Sequence, residues 1–387
     1  MKRFKLSELP KKKVDVLIID EHGSNWIKYC IPKSCLYSIV KTRGVVSYIN
    51  SYSFIIRLFL NIVRLGLKNK LKLSTALYLS IIDELKPKVV VTFIDNNNLL
   101  GRLSIIRTKI KFISVQNGIR VNRQECIGAP SDGHIFGSYY AFGEFEKFVY
   151  SGALFKDYYA VGSLKLGVFL SKYDVNNLMQ EKNKTVCFVS QYRKHMENSA
   201  NELYIQYLNT MMLMYKTTVL WARYSGYKIV VAMVNSKADS EYESELGIFR
   251  SIAEYDNVLF CANKGRENNL SSYKLAIESD IAVGMDSALM IEVFGIKQKV
   301  LWGVSSQQDL LSKLGLKMYK EKLPSELMLQ SLDQSEFNSR IDKLLEIPQE
   351  KYVSLTESAR KYFMNIDAPY PHKVIYKDIE RCVKEGY

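Results

Sequence analysis

Histidine is scarce and cysteine is unpaired in this chain of 387 residues. His22, His134, His195 and His372 are dispersed, and the six cysteines (Cys30, Cys35, Cys126, Cys187, Cys261 and Cys382) form no CxxC pair. That pattern argues against a zinc site and a disulfide framework, so no metal and no other cofactor is expected. Cys187 and Cys261 lie inside apolar runs and read as small buried hydrophobes in a reducing compartment. Walker A and GxGxxG fingerprints are missing, which argues against a kinase or a dehydrogenase. No helix-turn-helix, zinc finger or aromatic RNA-binding motif occurs, so nucleic acid is not an expected partner. The basic segment Met1 to Lys13 lacks the apolar core and small-residue cleavage site of a secretory signal. The longest apolar stretch, Ser51 to Leu67, is broken by Arg57 and Arg64 and is too short and too charged to span a bilayer. Internal repeats and low-complexity tracts are absent.

What is present is a globular composition, 47% hydrophobic and 24% charged residues, which excludes disorder and a fibrous repeat. The length is about twice that of one ordinary domain. Lys and Arg number 54 against 40 Asp and Glu, a net charge of +14. An excess of that size favours anionic partners such as nucleotides, phosphorylated sugars, polyanions or an acidic membrane face. A Lys-rich proteome is the plain alternative.

Short β-branched runs alternate with amphipathic stretches, the signature of a doubly wound α/β sheet. In the first half, buried parallel strands are expected at 14–20, 89–94 and 111–116, with helical periodicity over 52–84. The polar segment Lys172 to Lys184 marks a domain joint. The rhythm then restarts, with strands expected at 184–190, 227–234, 257–262, 280–285 and 299–303. A helical tail from about Glu336 to Tyr387 is interrupted by Pro369 and Pro371. The expected division is a first Rossmann-like domain over 1–170, a second over 184–350, and a helical tail over 351–387 that can pack back on the first.

Ligands bind such sheets at the carboxyl ends of the strands, so the residues following each strand are the candidates. Asp286 and Ser287 open a helix after a strand ending at Gly284, where free backbone N–H groups and the helix dipole suit a phosphate. Glu292, in the same helix, could turn to a ribose diol. The plain alternative is an N-cap and a solvated Glu. Asp95 ends a strand and suits a general base or nucleophile, or else an Asx-turn that starts the loop Asn96-Asn97. Glu21 and His22 end the first strand, and His22 is a base candidate or a structural histidine. Gln116, Asn117, Gly118 and Arg120 form a corner where Gly118 permits close approach of a ligand and Arg120 can hold an anion. Ser190, Gln191 and Arg193, and Lys264 with Arg266, follow strands of the second half. For these, a solvated turn is the alternative.

The run from Asp280 through Gly284, Asp286-Ser287 and Glu292 to Gly295 resembles the donor-binding element of GT-B glycosyltransferases. Its Asp286-to-Glu292 step is also similar to the Asp-Ser-Gly-Gly-x-x-Glu run of UDP-N-acetylglucosamine 2-epimerases, although Ala288 and Leu289 replace the two glycines. The segments Val91 to Asn98 and Phe112 to Arg120 resemble bacterial surface-carbohydrate proteins of capsule and lipopolysaccharide loci. The resemblance implies a GT-B fold, two Rossmann-like domains facing a central cleft. It implies a metal-independent glycosyltransferase moving sugar from a nucleotide donor, with a CMP-linked ulosonic acid one candidate, to a surface polysaccharide or glycolipid. Donor contacts fall to Ser190, Gln191, Arg193, Lys264, Arg266, Asp286, Ser287 and Glu292. Acceptor contacts fall to Asn96, Asn97, Gln116, Asn117, Gly118 and Arg120, and catalysis to Asp95, Glu21 and His22. An epimerase or hydrolase on the same scaffold, and a non-enzymatic polyanion-binding protein, are the competing readings. The implied location is cytoplasmic, with a peripheral membrane contact through Arg57 to Lys72 left open.

Overall fold

A strand buried on both faces reads as a continuous aliphatic run, and Val16–Ile19 and Val89–Thr92 are such runs, every residue buried. The computed structural model describes residues 5–6, 13–41, 46–47, 52–66, 73–95, 98–119, 135–150, 152–180, 183–197, 199–253, 257–264, 270–303 and 322–386. Thirteen strands are found there: β1 (Lys5–Leu6), β2 (Val16–Ile19), β3 (Tyr37–Val40), β4 (Val46–Ser47), β5 (Val89–Thr92), β6 (Lys111–Val115), β7 (Ile135–Ala141), β8 (Leu154–Ala160), β9 (Thr185–Val189), β10 (Lys228–Ser236), β11 (Val258–Asn263), β12 (Ile281–Gly284) and β13 (Val300–Trp302).

The first sheet runs β3-β2-β5-β6-β7-β8 and the second β11-β10-β9-β12-β13, with every pairing parallel. A small ribbon pairs β1 with β4. In each sheet the strand order reverses direction at one place, between β2 and β5 in the first and between β9 and β12 in the second. Such switch points open a crevice beyond the strand ends. All eight strands expected from the sequence are present, with ends shifted by one or two residues. The β1–β4 ribbon was not expected, nor were three strands of the first sheet: β3, β7 and β8. Their runs are mixed, Tyr37-Ser38-Ile39-Val40 and the tyrosine-rich Ile135–Ala141 and Leu154–Ala160, because aromatic pairs across β7 and β8 replace aliphatic burial. Tyr140 stacks on Tyr159 and Phe136 on Phe155.

Helices cover both faces. On one side of the first sheet, Leu79, Ile82 and Leu85 of the Leu73–Leu85 helix pack on Leu17, Ile19 and Val90. The Tyr52–Gly66 helix lies outside that helix. On the other side, Ile375, Ile379 and Cys382 of the Pro371–Glu385 helix pack against Val16, Val89 and Ile113. The chain end thus returns to the first sheet, tied by Tyr140, whose hydroxyl donates to Asp378 (2.7 Å). The preceding Gln349–Phe363 helix instead belongs to the second sheet, where the Tyr352 hydroxyl donates to the Gln298 carbonyl (2.9 Å). The core of the second sheet continues without a break into Phe142, Phe145, Phe363 and Met364 between the two halves. Gly143 sits at that junction, and a Cβ there would meet the Tyr362 carbonyl oxygen at 2.2 Å.

Candidate functional site

At the switch point of the second sheet β9 and β12 lie side by side, with Val189 opposite Gly284, so the residues after each strand meet. The hydrogen-bond network orients the Gln191 amide so that its nitrogen donates to Asp286 (2.9 Å) and its oxygen accepts from the Ser287 backbone N–H (3.0 Å). Tyr207, near the start of the Glu202–Ser225 helix, donates to Asp286 (2.5 Å) and also bonds Gln191. Burial pushes the Asp286 carboxyl above its ordinary range, against the pull of the Tyr207 and Gln191 hydrogen bonds. Ser287 is the N-cap of the Ala288–Gly295 helix, its side chain accepting from the Leu289 N–H (3.3 Å). Gln191, Asp286 and Ser287 are therefore one constellation, and Tyr207 joins it. Arg193 is exposed beside it, donating to the Tyr192 carbonyl (2.9 Å), and its charge acts on the Tyr207 hydroxyl.

Three donor candidates lie elsewhere or are turned away. Ser190 is buried and donates to Glu245 (2.5 Å), which also takes the backbone N–H groups of Val234 and Asn235. Lys264 is exposed at the end of β11, three strands from β12, a separation of about 14 Å at ordinary strand spacing. Glu292 is buried, not solvated, and it accepts from the Ser163 hydroxyl. Tyr273 also bonds it, and Lys165 is its nearby cation. Burial raises the Glu292 carboxyl despite those partners. Arg266 lies outside the described residues.

The first sheet presents a second group of residues. After β2 the backbone turns through Asp20 (φ 81°) and Gly23 (φ 76°), and the Asp20 carboxylate accepts from the His22 N–H (2.9 Å). His22 is half-buried, whereas Glu21 is exposed and paired with Lys41 (2.8 Å). Phe93, following β5, fills the space over Gly23, and the Lys165 ammonium lies 5.5 Å from the Phe93 ring centroid. Lys165 thus stands between Phe93 of the first sheet and Glu292 of the second. Burial lowers its pKa, and Glu292 acts against that shift.

Asp95 is enclosed deeper, accepting from the hydroxyls of Tyr139 (3.0 Å) and Tyr150 (3.4 Å). Gln116 is buried as well: its nitrogen donates to Glu146 (2.5 Å) and to the Gly118 carbonyl (2.9 Å), and its oxygen accepts from the Phe142 N–H (2.6 Å). Those bonds fold the corner of Asn117 and Gly118, both half-buried, back onto the sheet. Asn96, Asn97 and Arg120 lie outside the described residues.

Sequence reasoning missed Glu146, Tyr207, Ser163, Lys165 and Tyr273. Burial pushes the Glu146 carboxyl up to about 8, with the Gln116 hydrogen bond opposing and the Asp95 charge adding to the rise. The one available signal was its place, with Glu144, in the aromatic run Tyr139 to Phe148. The other four follow neither a β-strand end nor a motif spacing that sequence reasoning weighed.

Two parallel sheets with crevices at their switch points, closed by a C-terminal helix that crosses back to the first, make this a two-domain protein of the GT-B fold. The model of the family described as "putative O-antigen biosynthesis protein" matches residues 113–375, and the chain belongs to that family. Among solved structures it is similar to the wall teichoic acid polymerase TagF, with 14% identity and a TM-score of 0.53, covering 96% of this chain and 89% of that one. It is also similar to MurG of Acinetobacter baumannii (11% identity, TM-score 0.48, 96% and 100% covered). A third likeness is to the UDP-GlcNAc 2-epimerase from Neisseria meningitidis bound to UDP-GlcNAc (13%, 0.47, 96% and 98%). No curated protein sequence matches the chain. The expected resemblance to GT-B enzymes and surface-carbohydrate proteins is borne out.

Proposed function

We propose that this protein is a nucleotide-sugar-dependent glycosyltransferase that extends a surface polysaccharide or glycolipid. The observation that carries the reading is the convergence of Gln191, Tyr207, Asp286 and Ser287 at one switch point, in a chain of an O-antigen biosynthesis family. In this reading the donor's nucleotide enters the crevice between β9 and β12. Its phosphate lies toward the start of the Ala288–Gly295 helix, where the dipole favours an anion. Arg193 supplies the positive charge that stabilises the departing phosphate, with no metal required. Glu292 reaches a donor ribose only by parting from Ser163.

The acceptor lies against the residues following β2, β5 and β6. His22 is the base in this reading, an imidazole suited to moving a proton near neutral pH. Asp95, held by Tyr139 and Tyr150, supports the wall behind it. A CMP-linked ulosonic acid is the donor proposed, since an acidic sugar suits a chain of charge +14. A thermal-shift panel of CMP, CDP, UDP, GDP and TDP, each with and without EDTA, tests the proposal. A rise selective for cytidine nucleotides that survives EDTA is expected. No shift with any nucleotide would overturn the donor site.

A further inference from the structure

The Tyr52–Gly66 helix is inside out. Its inward residues are polar as well as apolar: Arg57 donates to the Asp83 carbonyl (2.7 Å) and pairs with Glu84 (3.5 Å), and the buried Asn61 donates to Ser80 (3.0 Å). Only Phe54 on this helix is a fully buried apolar side chain. Leu65 packs partly against the core beside it, but most of the helix's large aliphatic and aromatic residues face away from the protein. Tyr52 is 81% exposed, Phe59 65% and Leu60 57%, and Ile55, Ile56, Ile62 and Val63 are exposed beside them. A helix on the surface of a globular protein normally turns its apolar stripe to the core. A contiguous apolar face of this kind marks an interaction surface.

Charge decides what that surface meets. From His22 to Ile82 the sequence contains no Asp or Glu in sixty-one residues, while nine Lys or Arg occur. Lys68, Lys70 and Lys72 follow the helix directly, interleaved with Leu67 and Leu71. Arg64 is exposed at the helix end, and Leu73, at the start of the next helix, is exposed too. A protein partner's apolar core would call for no such one-sided charge, whereas an acidic headgroup layer above hydrocarbon calls for both features. Among the described residues no helix is long and apolar enough to cross a membrane. The fifteen-residue helix, about 22 Å long, has the dimensions of one that lies in the interface plane.

We propose that the Tyr52–Gly66 helix docks this protein on an anionic lipid surface, with Tyr52, Ile55, Ile56, Phe59, Leu60 and Val63 entering the headgroup–acyl boundary and Arg64, exposed at the helix end, meeting lipid phosphates. The inference is independent of the donor nucleotide, so the thermal-shift panel and the lipid test fail separately. Flotation of the full chain with vesicles of equal parts phosphatidylglycerol and phosphatidylcholine, against phosphatidylcholine alone, is the experiment. Binding to the anionic vesicles only is expected, weakened by salt. The variant carrying Phe59→Glu and Leu60→Glu should lose about tenfold or more of that binding. A second readout needs no disruptive substitution: the indole introduced by Phe59→Trp should shift its emission to the blue when anionic vesicles are added. Absence of binding by the unaltered chain, or full binding by the Glu variant, would overturn the proposal. So would a dimer that the Glu variant converts to monomer in a protein that ignores vesicles, because the face would then be covered by a second copy.

Discussion

The Ser163 hydroxyl donates to the Glu292 carboxylate across 129 residues of sequence, joining the segment that leaves the first sheet to the helix that follows β12. Tyr273 and Lys165 complete the group around the carboxylate. A residue expected to face a ligand is thereby part of the joint between the domains. Glu292→Ala leaves the Lys165 ammonium without its buried counter-charge, and it should lower unfolding free energy by about 3 kcal/mol. Adding Lys165→Met should recover most of the loss, as expected when two residues share one interaction. Urea unfolding of the two variants checks this. Unchanged stability with lost nucleotide affinity would instead assign Glu292 to the ribose.

Glu146 makes folding pH-dependent. Its carboxyl moves from 4.5 to about 8 in the folded chain because burial disfavours the charge. Between those values the folded state holds a proton that the unfolded chain has released. Stability is therefore fully present below pH 4.5 and lost as pH rises through about 8, by on the order of a few kcal/mol. Glu146→Gln keeps the shape and removes the titration. Urea midpoints measured across this range should fall with pH in the natural chain and fall less in the variant. Parallel slopes would show that Glu146 is already ionised in the fold.

Tyr207 and Arg193 separate positioning from charge at the donor site. Tyr207→Phe removes a hydrogen bond to a buried carboxylate and should cost about 1–3 kcal/mol of stability. Arg193 is exposed, so Arg193→Ala should leave the melting temperature unchanged while weakening nucleotide binding about tenfold. Thermal and urea unfolding read the stabilities, and calorimetric titration of the nucleotide selected by the thermal-shift panel reads the affinities. Equal affinity in Arg193→Ala would remove this residue from the site.

The aliphatic strands of both sheets were legible in the sequence because burial on two faces leaves a run such as Val-Val-Val-Thr at 89–92 that fits nothing else. The residues just past β9 and β12 followed from the general position of ligands in such sheets. Whether Ser190 turns toward Asp286 or toward Glu245 was not legible, since that depends on a helix, Tyr242–Ile252, packed from another part of the chain. Asp95 shows the same limit. Its place after β5 was readable, but the tyrosines that enclose it come from β7 and from Tyr150. The inward polar face of the Tyr52–Gly66 helix also escaped. Periodicity identifies an apolar stripe, and only the partner helix with Ser80, Asp83 and Glu84 decides which side is inside.

Gly23 offers a test of the first switch point that does not touch a charged group. Its φ of 76° is unfavourable for any residue with a Cβ, and a Cβ built there falls 2.1 Å from Phe93 Cδ1. Gly23→Ala must therefore strain the turn that carries His22 and displace the Phe93 ring. The backbone term alone amounts to about 1 kcal/mol, and the clash should bring the total to about 2 kcal/mol or more. Phe93→Leu in the same chain relieves the clash but not the positive φ, so the pair should be less destabilised than the sum of the single variants. Thermal and urea unfolding of the three chains give the coupling. If the losses simply add, the ring moves freely out of the way, and Phe93 does not hold the His22 turn against the cleft.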